Sequence, residues 1–228
     1  MSVSQWASQL DFSRLVELLI SALAAVLCIC VHESAHGLSA LWLGDPTAKN
    51  SGRISLNPFH HVDLVGLAML AIAHVGWAKP VQIDPRYFKN PKLGMALTAL
   101  AGPVSNFLLA FVTGFIAYLG YYGYIRHPDN QALFYLFLFF YYNTFISCGL
   151  GVFNLIPIPP LDGSKVLYSF LPERFYWKLM RYERYGMFLL IALVMLGAFD
   201  GFLSNALGAV SEFVMKTVRP LAEAIMKI

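Results

Sequence analysis

The residues best placed to do chemistry in this chain are His32, Glu33 and His36, within the run Cys28-Ile29-Cys30-Val31-His32-Glu33-Ser34-Ala35-His36-Gly37. On a helix, positions 32 and 36 lie one turn apart on one face. Their imidazoles can then hold one Zn²⁺ while Glu33 takes the proton of an attacking water as general base. That is the spacing of metal-assisted peptide hydrolysis. So short a pattern recurs by chance, and its surroundings sharpen it: Leu15 to Leu27 precede it and Leu38 to Leu43 follow it, both runs strongly apolar. Ionisable side chains inside such a run are costly in a bilayer and mark functional sites. Cys28, one turn before His32, reads as a small buried residue rather than a further ligand.

Two histidines leave a metal short of protein ligands, and the second group of interest is Asn154-Leu155-Ile156-Pro157-Ile158-Pro159-Pro160-Leu161-Asp162-Gly163. Its prolines cannot continue a helix. Irregular backbone at membrane depth is tolerated only where protein or a watered cavity surrounds it. Taken alone, Asp162 reads equally well as the N-cap of a helix from Ser164 to Leu171. With a two-histidine site in need of a third ligand, and a topology that returns this loop to the side of His32, the metal-ligand reading is the stronger.

The elements that must position these groups are apolar helices. The chain has 228 residues, 58% hydrophobic, 15% aromatic and only 13% charged, with a mean hydropathy of +0.61, which excludes an ordinary soluble domain and a disordered chain. It reads as an all-α polytopic membrane protein, with about four to six transmembrane helices and a small re-entrant or β element after the first. Residues 1–228 form a single membrane-embedded domain, with a catalytic core over about 15–171 and a C-terminal span and amphipathic tail over 172–228. A net charge of +3 without a basic stripe argues against nucleic-acid binding. Cys28, Cys30 and Cys148 are odd in number and set in apolar stretches, so no disulfide framework is expected.

Met1 to Asp11 lacks the basic start of a signal peptide, so the first helix is expected to stay. From Leu15 to Leu43 it would run about 43 Å, longer than the roughly 30 Å hydrocarbon core, with His32 roughly 25 Å along it. Ser51 to Pro58 alternates apolar with polar residues and stops at Asn57-Pro58, the pattern of a short strand ending in a turn. Leu64 to Trp77 is short for a span and reads as re-entrant, a short tilted span being the competing reading. Leu93 to Tyr122 is long enough to cross, and its small residues Ala96, Ala99 and Gly102 form a packing face. Asn106 beside them reads as a staple between helices or, less favoured, as a hydrogen-bonding group near the site. After a polar turn over Gly123 to Asn130, Ala132 to Phe153 crosses back. A last span runs from about Tyr185 to Phe199, and Phe202 to Ile228 looks amphipathic and suited to the membrane surface. Eleven of the 16 Lys and Arg residues fall in the loops after the first and fourth segments, which puts the active site near the cytosolic face with the N-terminus outside.

These motifs together resemble the site-2 protease family of intramembrane zinc metallopeptidases. The matching features, in order, are His-Glu-Ser-Ala-His at 32–36, Gly-Trp-Ala-Lys-Pro-Val at 76–81, Ala-Gly-Pro-Val-Ser-Asn at 101–106, and Asn154, Pro157, Pro159, Asp162 and Gly163. The resemblance implies that His32, His36 and Asp162 bind one Zn²⁺, that Glu33 is the general base, and that Asn154 stabilises the substrate or the oxyanion. It further implies regulated intramembrane proteolysis of membrane-spanning proteins, a location in the cell membrane, and a β element over Gly52 to Asn57 beside the site. The chain has no room for a PDZ domain after the second helix and no CBS pair at the C-terminus, so it is expected to be a compact member. A transporter is the alternative of another class, since ion pathways also carry intramembrane His and Asp. The Glu next to His32 speaks against it, because ion coordination needs no base there. A catalytically dead scaffold is disfavoured, because all four chemical residues are present.

Overall fold

The computed structural model describes residues 12–61 and 79–227. The segment Leu64 to Trp77, expected to be re-entrant, lies outside the described residues. The long helices are α1 (Phe12–Trp42), α3 (Pro91–Arg126), α4 (Gln131–Asn154), α6 (Glu173–Met195) and α7 (Asp200–Met226); α2 (Thr47–Asn50) and α5 (Asp162–Ser169) are short. Their starts are set locally. The Asn90 side chain accepts from the Leu93 N–H ahead of Pro91 in α3, and Asn130 accepts from the Ala132 N–H at the start of α4. Among the described residues α1, α3 and α4 are long and apolar enough to cross a membrane, and α7 with the end of α6 would form a fourth, bent by 89°. That is the lower end of the expected four to six.

α3 is the centre of the bundle, packed along α4 and α1. Hydrophobicity does little to join helices in lipid, so close approach and interhelical hydrogen bonds decide. Gly120 of α3 lies so near α4 that an added Cβ would be 3.2 Å from the Phe137 backbone. Thr113 and Thr144 join the same helices at 2.9 Å, and the Asn143 amide donates to the Ala24 carbonyl of α1 at 3.3 Å. The Cys28 thiol takes the hydroxyl of Ser147 at 3.1 Å and is wholly buried, in keeping with the reading of a packed residue.

One expectation is corrected. The described residues contain no strand: Ser51 to Asn57 forms a turn and bends before a 3₁₀ turn at Pro58–His60. The reason lies on α1, where the Ser34 hydroxyl donates to the Ser55 carbonyl at 2.8 Å and accepts the Ser55 N–H at 3.2 Å, taking both groups a strand partner would need. The apolar segment expected from about Tyr185 to Phe199 is the end of α6, Tyr185 to Met195, after which Gly197 with φ +67 turns the chain; the helix itself begins at Glu173. The expected amphipathic segment forms α7, which packs along α3 and α4. Val214 meets Gly114, Tyr122 donates to Glu223 at 3.0 Å, and Arg126 donates to the Met226 carbonyl at 2.6 Å. Its polar side chains are paired along the helix, Glu212 with Lys216 and Arg219 with Glu223, which leaves Val214, Val218 and Ala222 as a continuous buried stripe.

The loop from Leu155 to Leu161 is held at its buried residues, while Leu155 and Pro157 are exposed. Ile156 and Leu161 are buried with Leu190 of α6, and Phe199 and Leu203 pack on the same cluster. Gly186 of α6 comes so close that an added Cβ would meet Pro159 at 2.3 Å. A buried Asp45 ties down the other approach, accepting the Thr47 N–H at 2.9 Å and the Asp84 N–H at 2.7 Å, and so joins the loop after α1 to the segment entering α3.

Candidate metal centre

His32 and His36 face the same way from α1 because they are one turn apart, and their Nε2 atoms are 3.0 Å from each other. Asp162 arrives from 130 residues away in sequence: its Oδ2 is 3.1 Å from His32 Nε2 and 3.3 Å from His36 Nε2. The three residues are 7%, 7% and 8% exposed, so water cannot solvate the cluster freely. The helix α5 begins at Asp162 itself, two residues earlier than the capping reading requires, and no side chain caps it. The carboxylate is therefore free of its own helix. Gly163 makes this possible, because a Cβ there would lie 2.2 Å from the Leu155 carbonyl oxygen at the end of α4.

The hydrogen bonds behind the rings say what the front of the cluster needs. His36 Nδ1 sits 2.7 Å from the Thr98 carbonyl, which can only accept, so Nδ1 carries the proton and a neutral ring presents a bare Nε2. That lone pair points at a second ring nitrogen and at a carboxylate oxygen. Three such atoms converging on one point need a proton or a metal cation among them. Vertices of a tetrahedron about 2.0–2.1 Å from its centre are about 3.3–3.4 Å apart, close to the spacings seen, and two imidazoles with a carboxylate are a zinc donor set. The residues present fit Zn²⁺.

Behind Asp162, Lys165 Nζ is 4.0 Å from Oδ1 and 3.2 Å from Glu183 of α6. Lys165 thus supplies a positive charge beside the buried Asp162 carboxylate. Glu33 is not among the three converging donors; its Oε2 accepts the Val81 N–H at 2.9 Å, from the extended segment ahead of α3.

The structure thus brings together His32, His36 and Asp162, with Glu33 alongside on the same helix. Asn154 is at the end of α4, and its amide donates to the Leu150 carbonyl of its own helix at 3.0 Å. The groups that sequence reasoning missed or underweighted belong mostly to α3. Thr98, Gly102 and Asn106 follow at intervals of four, so they form one ridge against the pair His32 and His36. A Cβ at Gly102 would lie 2.5 Å from His36 Nε2 and 2.6 Å from His32 Cε1. Asn106, read as a staple, instead reaches His32 Nδ1 at 3.2 Å. The matching four-residue intervals in the two segments were the one available signal.

The sequence matches the family model described as Peptidase family M50 over residues 20–197. It is 36% identical over 179 residues to the protein named "Putative zinc metalloprotease YwhC" of Bacillus subtilis (strain 168), covering 76% of this chain and 80% of that protein. It is 27% identical over 181 residues to "Putative zinc metalloprotease Rip2" of Mycolicibacterium smegmatis, covering 77% of this chain and 66% of that protein. No solved structure matches the chain.

Proposed function

Because the chain belongs to peptidase family M50, the zinc metallopeptidases of the site-2 protease type, we propose that it cleaves peptide bonds within membrane-spanning segments of substrate proteins, as in regulated intramembrane proteolysis. In this reading one Zn²⁺ is held by His32, His36 and Asp162, Glu33 is the general base, and Asn154 is an oxyanion donor. The observation that carries it is the triangle of possible ligand atoms, 3.0, 3.1 and 3.3 Å on its edges, with a carboxylate adjacent in sequence that lies outside it.

When bound, zinc polarises the scissile carbonyl and brings the pKa of water to about 7. Glu33 accepts the proton as the water oxygen attacks the carbonyl carbon, and returns it to the amine nitrogen as the C–N bond breaks. The Val81 N–H holds the Glu33 carboxylate in place for both transfers. Asn154 uses one amide N–H on its own helix and keeps a second for the developing oxyanion, a contribution of roughly 10²–10³ in rate where such donors have been removed. A substrate helix has its own backbone bonds satisfied and must unwind before attack.

The protein acts as one membrane-embedded domain over 1–228, in which α6 and α7 brace the loop that carries Asp162. Purified protein is expected to hold about one Zn²⁺ per chain, with Asp162→Ala lowering that occupancy and abolishing cleavage of co-expressed single-span substrates. Full zinc content in that variant would remove Asp162 from the ligand set.

The same reading puts the protein in the cell membrane with its site toward the cytosolic face. In a background without native cysteines, single cysteines at Lys89 and Arg174 are expected to be labelled from the cytosolic side only, and one at Asp129 from outside only. Opposite sides for Asn57 and Lys89 would show that residues 64–77 cross the membrane.

A further inference from the structure

His36 has its proton placed by the Thr98 carbonyl, which cannot do otherwise than accept. His32 has no such carbonyl. Its Nδ1 faces the side-chain amide of Asn106 at 3.2 Å, through Nδ2, while Asn106 Oδ1 is buried with no hydrogen-bond partner. Both residues are buried, and Asn106 is 0% exposed. Amide oxygen and nitrogen have nearly the same shape, and only the network of partners distinguishes them. With the nitrogen toward His32, Nδ1 must accept. The ring proton then sits on Nε2, aimed at His36 Nε2 and Asp162 Oδ2, where a cation would go. With the amide turned half a rotation, Oδ1 gains the partner it lacks, Nδ1 carries the proton, and Nε2 is bare.

We propose that Asn106 is a positioning residue for the metal: its amide oxygen accepts the Nδ1 proton of His32, fixes the tautomer that leaves Nε2 free to bind, and so sets the zinc affinity of the site. The proposal rests on the zinc reading given above. Gly102, one turn before Asn106, completes the arrangement, because its missing side chain lets both rings lie against α3 while Thr98 and Asn106 hold them from behind.

The test compares Asn106→Leu and Asn106→Asp in the purified full-length protein, with zinc affinity read by competition against a chelator and folding by thermal unfolding. Leu fills nearly the same volume but cannot accept; Asp can only accept, and carboxylate–histidine–zinc arrangements strengthen the ligand. Asn106→Leu is expected to bind zinc 10–100-fold more weakly than wild type, as is usual when a ligand histidine loses its outer partner, while Asn106→Asp stays within a few-fold. A staple between helices predicts the reverse order, since an apolar isostere is tolerated in such a seam and an added buried carboxylate is not. Wild-type affinity in Asn106→Leu, or weaker binding in Asn106→Asp than in Asn106→Leu, overturns the proposal. A wild-type protein that holds no zinc overturns the metal reading itself, an outcome distinct from either.

Discussion

Glu33→Gln is expected to retain about one Zn²⁺ per chain and to lose roughly 10²–10⁴-fold in cleavage rate, the usual range for removal of a general base. Zinc is retained because Glu33 is not among the three donors that converge at the site. The segment over the site also stays in place, since the glutamine carbonyl can accept the Val81 N–H as the carboxylate Oε2 does at 2.9 Å. What the substitution removes is the group that takes up a proton and gives it back. Zinc analysis and cleavage of a verified single-span substrate, measured on one preparation, separate the two effects. Cleavage by Glu33→Gln at the wild-type rate would remove the proton-transfer role assigned to Glu33, whatever its metal content.

Gly102→Ala is expected to lose zinc and activity together, although the substitution is a single methyl group on a helix that would ordinarily favour alanine. The added Cβ would be 2.5 Å from His36 Cε1 and Nε2 and 2.6 Å from His32 Cε1. Neither ring can swing away cheaply. His36 is held at Nδ1 by Thr98, His32 faces Asn106, and both are buried in the seam between α1 and α3. The strain of such overpacking is about 1–3 kcal/mol, and a displacement of about 1 Å in a reacting group can lower a rate 10²-fold. Gly201→Ala is the control, since nothing lies within 4 Å of a Cβ there, and it should leave both properties unchanged. Wild-type zinc content and rate in Gly102→Ala would mean that α3 is not seated against the histidines as described.

Much of the site was legible because its signals are local. Two histidines at a spacing of four must share a helix face, and a run of prolines must break a helix. Asp162 shows the boundary of that kind of evidence. Its sequence context suits a cap as well as a ligand, and only the tertiary structure shows that α5 starts at Asp162 itself, with its carboxylate beside rings 130 positions away. Ser51 to Pro58 shows the converse: an alternating pattern that would suit a strand, overridden by one hydroxyl, Ser34, on a neighbouring helix.

By itself, then, the sequence determined that the chain is built of membrane helices, that His32, Glu33 and His36 lie together on one of them, and that a broken segment ends at Asp162. The tertiary structure decided which faces meet: that Thr98, Gly102 and Asn106 of α3 back the histidines, that Val81 reaches Glu33, and that α7 joins the bundle. The physical reason lies in the solvent. In water an apolar stripe marks the inward face of a helix, but lipid tails are as apolar as a protein interior, so hydropathy identifies a membrane helix without saying which side is buried. That choice falls to close contacts between small residues and to single hydrogen bonds between helices, which belong to pairs of segments and not to any one of them.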